Sequence, residues 1–172
     1  MALVVIDAQV GFLKDTTVTI IPRIKKLVRG FVEADAPVVF SRYHNYPGSP
    51  FERLLHWYKV RDEEDVRLIP HLDELTARAT VIDKTGYTVF VEDMDKLIAA
   101  TGCTDVVLCG VDTETCVLKS AVDAFERGLV PWIVRDACTS NGGMAMHRLG
   151  LRVARRFVGP GQVIRASELR LR

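Results

Sequence analysis

No apolar run in this 172-residue chain approaches the roughly 20 residues needed to cross a bilayer, so a helical membrane span is not expected. Charge of one sign is also missing. Twenty-three basic residues face 22 acidic ones, and a net charge of +1 gives no long-range pull towards nucleic acid or an anionic membrane. The four cysteines (Cys103, Cys109, Cys116, Cys138) form no C-x-x-C pair and no zinc-finger spacing. The opening MALVVID has no basic segment ahead of its apolar residues and reaches Asp7 at once, so no export leader is expected. A cytoplasmic chain with reduced thiols follows as the expectation. There is no internal repeat and no low-complexity or linker segment, which leaves one domain over residues 1–172.

What is present is an alternation. Apolar, β-branched runs read as strands at 2–7, 37–41, 79–84, 105–111 and 130–137. Helical spacing is found between them at 17–35 (starting near Pro22), 91–102, 113–128 and 143–159, with Gly102 and Gly128 as stops. The tail QVIRASEL reads as a short further strand and a turn. Strands that are apolar throughout, alternating with helices, make an α/β domain whose mostly parallel sheet is covered on both faces. Residues 43–60 hold two prolines, a glycine and five aromatics; a loop of that length in a compact domain is commonly functional.

Open sheets of this kind bind ligands outside the carboxyl ends of their strands. Asp7 ends the first strand, Lys84 the third, and Cys116 follows the fourth at the start of a helix. Each has a plain reading alone: Asp7 as a turn residue, Lys84 as a solvated amine, Cys116 as a small buried apolar side chain. Together they offer a thiol, a cation and a general base. A thiol at a helix start beside a lysine is expected to have a lowered pKa, and Asp7 would take its proton and return it to a leaving amine.

Four segments, in order, resemble the isochorismatase-like cysteine hydrolases: VVIDAQVGF, DKTGYTVF, GVDTETCVLKSAVDAFERG and IVRDACTS. The resemblance implies a three-layer α/β/α sandwich around a six-stranded parallel sheet, assembled as a homodimer or homotetramer and acting on a small molecule without an organic cofactor. It implies that Cys116 is the nucleophile, Asp7 the proton shuttle and Lys84 the orienting cation. It also implies a cis peptide between Val111 and Asp112, with the Asp112 and Cys116 N–H groups facing the oxyanion.

Two departures narrow the expectation. Nicotinamidases of this superfamily hold a metal through an Asp-x-His motif after the second strand and further histidines. Here that place reads SRYHNYPGSPF, with Arg42 in place of the acid and His44 alone, so no metal is expected. True isochorismatases cleave a vinyl ether and commonly lack the cysteine, which this chain has. Cleavage of an amide or ureide C–N bond is therefore the first expectation. Vinyl-ether hydrolysis, with Asp7 as acid, is an alternative, and so is a non-catalytic binding or assembly module. For the substrate, Arg42 is a candidate carboxylate anchor, with a plain salt bridge as its other reading. Phe12, Tyr43, Trp57, Tyr87 and Phe90 are candidate pocket walls, or else ordinary core or a subunit interface; Trp57 is also a candidate for a contact between copies.

Overall fold

The structure is a computed structural model that describes residues 1–171 and all their side chains but that of Asp73. Six parallel strands form one sheet in the order β3-β2-β1-β4-β5-β6. They are β1 (Ala2–Ile6), β2 (Val38–Tyr43), β3 (Thr80–Lys84), β4 (Asp105–Gly110), β5 (Val130–Cys138) and β6 (Val163–Ile164). Every residue of β1 is buried, as expected of a central strand covered on both faces.

Helices cover the two faces, and their apolar spacing explains how. In the helix Ile21–Glu33, Ile21, Ile24, Leu27, Val28 and Phe31 are buried along one stripe, and Pro22 sits in the first turn, where its missing N–H costs nothing. The helix Glu92–Thr101 stops at Gly102, which adopts the left-handed conformation. The helices Leu118–Glu126 and Met144–Val158 pack on one another beside β5. These elements match the expected alternation, the six-stranded parallel sheet and the single layered domain.

The differences lie at the ends. The second strand runs to Tyr43 rather than residue 41, because Arg42 and Tyr43 continue the pairing with Asp83 and Lys84 of β3. The expected helix 113–128 divides into a π-helical turn, Thr113–Val117, and the α-helix Leu118–Glu126. The loop 43–60 contains a short helix, Pro50–Leu55, capped by Ser49 Oγ accepting from the Glu52 N–H.

The sheet topology sets the place of a site. From β1 the chain builds β2 and β3 on one side and then crosses to β4 on the other, so the order reverses between β1 and β4. The two strands approach closely at that point. Gly110 has φ +113°, and a Cβ there would lie 2.1 Å from the Ile6 carbonyl oxygen.

Candidate active site

Asp7 is the first residue past β1 and has φ +47°. A reciprocal pair with Ser41 on β2 fixes it: the Asp7 N–H donates to Ser41 Oγ (3.1 Å), and that hydroxyl donates to Asp7 Oδ1 (2.6 Å). Lys84 at the end of β3 donates from Nζ to Asp7 Oδ2 at 2.7 Å. Its remaining N–H groups meet the carbonyls of Gly86 (2.9 Å) and Tyr87 (3.1 Å). The three oxygens take the three protons of an ammonium. Cys116 Sγ, at 3.7 Å, therefore feels Lys84 chiefly as a nearby positive charge. Burial works against that charge, but Asp7 and the sulfur outweigh it and hold the Lys84 pKa above its ordinary value.

The π turn places the thiol. The N–H groups of Thr115 and Val117 both donate to the Asp112 carbonyl at 3.2 Å. Behind the turn, Thr113 Oγ1 donates to the Thr139 carbonyl (3.0 Å) and meets His147 Nδ1 at 2.7 Å, which ties the turn to the helix Met144–Val158. The helix Met144–Val158 can lie against the turn because its contact residue is Gly150, where a Cβ would stand 2.8 Å from Glu114 Cα.

The Val111–Asp112 peptide is cis, as the resemblance implied. The thiol does not match the expectation of a lowered pKa. Burial first, and the Asp7 carboxylate second, push Cys116 well up, and the opposing pull of Lys84 does not compensate. Asp112 is also displaced: burial raises its carboxyl to about 6, against the opposing hydrogen bond from the Asn141 N–H to Oδ1 at 2.8 Å. The other thiols are buried too, with Cys138 pushed up to about 12 by burial.

Cys116 opens on a cavity of about 250 Å³. Five aromatic rings wall it, Phe12, Tyr43, Phe51, Trp57 and Tyr87, and Asp112 and Thr115 line it beside the sulfur. Phe12 and Trp57 stack at 5.9 Å and 9°, while Phe51 stands edge-on or tilted to Tyr43 (5.0 Å) and Tyr87 (4.9 Å). Thus Phe12, Tyr43, Trp57 and Tyr87 come together at the thiol, and Trp57 faces the cavity.

Two buried amides hold this wall. Gln9 Nε2 donates to the carbonyls of Tyr43 (3.0 Å) and Val66 (2.8 Å), and its Oε1 accepts from the Tyr43 N–H (2.7 Å). Asn45 Oδ1 accepts from Ser49 Oγ (2.6 Å) and Tyr43 Oη (3.2 Å), while its Nδ2 donates to the carbonyls of Trp57 and Lys59.

Arg42 is the correction. Side chains alternate along a strand, so Ser41 and Tyr43 face the site and Arg42 faces away. Its guanidinium grips Asp83 with Nε to Oδ1 at 2.7 Å and Nη2 to Oδ2 at 2.8 Å, and His44 Nε2 meets the same carboxylate at 2.9 Å. It lines a different cavity, with Arg61 and Arg67. The salt-bridge reading holds, and Arg42 is no anchor for a substrate at Cys116. Phe90 is likewise apart, buried under the Arg127 guanidinium at 4.8 Å.

Sequence reasoning missed Ser41, Asn45 and Phe51. Ser41 lay inside an apolar run, and only the β1–β2 register reveals its partner. Phe51 was visible as one of the aromatics of the 43–60 loop.

Comparisons with known proteins show the family and the fold. The sequence model of the Isochorismatase domain matches residues 1–165. Isochorismatase domain-containing protein 2 of Bos taurus is 38% identical over 72 residues, 41% of this chain and 35% of that protein. The match therefore spans about a third of that relative's length. Isochorismatase family protein 2A of Dictyostelium discoideum is 25% identical over 145 residues, 81% of this chain and 66% of that protein. Among solved structures, the N-carbamoylsarcosine amidase of Thermoplasma acidophilum superposes with a TM-score of 0.83 at 25% identity, covering 99% of this chain and 98% of its own. A nicotinamidase of Bacillus subtilis gives 0.82 at 25%, covering 92% and 96%.

Proposed function

This chain belongs to the isochorismatase family, and from that premise we propose that it is a cysteine hydrolase cleaving an amide or ureide C–N bond of a small molecule. One observation carries the reading. A buried thiol, an ammonium 3.7 Å from it and a carboxylate 2.7 Å from that ammonium converge where the thiol lines an aromatic cavity.

The raised thiol pKa shapes the chemistry. A protonated sulfur needs its proton removed as it attacks, and Asp7 is the adjacent base. In the proposed reaction Asp7 takes the thiol proton while Sγ bonds to the substrate carbonyl carbon. The carbonyl oxygen becomes an oxyanion facing the N–H groups of Asp112 and Cys116. The C–N bond then breaks and Asp7 returns the proton to the departing nitrogen, leaving a thioester. Water, giving a proton to Asp7, adds to the thioester carbonyl. The C–S bond breaks, the acid leaves, and the sulfur regains its proton. Lys84 holds the carboxylate in place and offsets negative charge as it passes between oxygen and sulfur.

Turnover of a panel of small primary amides and ureides, followed by ammonia release, tests the proposal. The wild type should release ammonia from at least one of them, and Cys116→Ala should lower that rate by about 10³-fold or more at unchanged circular dichroism. Equal release by Cys116→Ala would sink the thiol mechanism.

A further inference from the structure

The cavity at Cys116 has a charge pattern that bears on its ligand. Of the described residues lining it, none is basic, and Arg42, the nearest candidate on β2, is turned away and held by Asp83. Lys84 is committed to Asp7 and two carbonyls. Asp112, by contrast, lines the cavity beside the thiol. Its Oδ1 accepts the Asn141 N–H at 2.8 Å. A carboxylate that shares a cavity with five aromatic rings and no basic residue is a partner for a hydrogen-bond donor or a positive charge and repels an anion.

We infer that Asp112 is a specificity-determining residue: it selects a flat, largely apolar substrate carrying N–H donors or a positive charge and rejects one carrying a carboxylate. The aromatic walls favour the same class, since ring faces attract cations and N–H groups. The inference deepens the hydrolase reading by taking this cavity as the substrate site, but it does not depend on the thiol chemistry.

Asp112 acts in the field of several neighbours. Glu114 and Asp7 raise its pKa further after burial, while the Asn141 N–H and Lys14 lower it; the Cys116 thiol is the other titratable group close by. With the carboxyl at about 6, the selection should be complete at neutral pH and fade below 6 as Asp112 takes up a proton.

The test uses two flat probes of one shape and opposite charge, benzamidinium and benzoate. Their binding is measured by titration calorimetry on the Cys116→Ala protein, so that failure of the thiol mechanism leaves the result intact. Benzamidinium should bind at least about tenfold more tightly than benzoate at neutral pH. Asp112→Asn, which keeps the acceptor for Asn141, should bring the ratio to about twofold or less. Lowering the pH from 7.5 to about 5 should do the same in the chain with Asp112 intact, which covers the case of a variant that folds poorly. Equal binding of the two probes, binding of neither, or a preference that survives both the substitution and the low pH would overturn the inference.

Discussion

Cys116 does not behave as its position at a helix start would suggest. The helix dipole and Lys84 favour a thiolate, but at 9% exposure the loss of hydration and the nearby Asp7 carboxylate prevail. The catalytic burden in this account shifts to Asp7, and through it to Ser41. Ser41 is fully buried and donates to the carboxylate oxygen that Lys84 leaves free. A hydrogen bond to a charged group contributes about 1.5–3 kcal/mol, so Ser41→Ala should lower kcat/KM about 10- to 100-fold, and Ser41→Thr, which keeps the hydroxyl, should restore most of it. Steady-state kinetics on whichever amide the wild type turns over decides this; Ser41→Ala at full activity would remove Ser41 from the account. Asp7, Lys84 and Cys116 were legible because each carries its chemistry at a strand end. Ser41 was not, since a serine in a buried run gives no local sign of which strand it will face.

Gly110 shows why the elements needed more than propensity. The residue closes β4, and its Cβ-free backbone lets the nucleophile turn come against the end of β1, where the Val111 N–H donates to the Ile6 carbonyl at 3.0 Å. Gly110→Ala would force a carbon to within 2.1 Å of that oxygen in a backbone region L-residues avoid. A loss of about 3 kcal/mol or more is expected, lowering Tm by about 6–12 °C, with activity falling further than stability because Asp7 and Cys116 part. A thermal melt within about 2 °C of the wild type would contradict this. Strand and helix order was readable from apolar periodicity, but the ends were not. Extending β2 by two residues is a matter of pairing with β3, and it decides that Tyr43 enters the cavity while Arg42 leaves it. In the same way, the π turn at Thr113–Val117 looks like ordinary helix in sequence.

At the scale of the molecule, a six-stranded parallel sheet with one reversal of order gathers residues 7, 84 and 116 at one crevice. The whole-chain likeness to an N-carbamoylsarcosine amidase and to a nicotinamidase extends that agreement to the full architecture. Such a fold serves more than one reaction, so the reading rests on the site: its thiol, its base and its aromatic cavity. The substrate was the least legible feature, because the cavity is assembled from residues 12, 43, 51, 57, 87 and 112, which only the folded chain brings together. The measurement that tests the central claim most directly is peptide mass spectrometry on enzyme quenched by acid during turnover of an amide. The account predicts the acyl group of that amide as an added mass on the peptide containing Cys116. Continued turnover with Cys116 unmodified, and with Cys116→Ala still active, would contradict it.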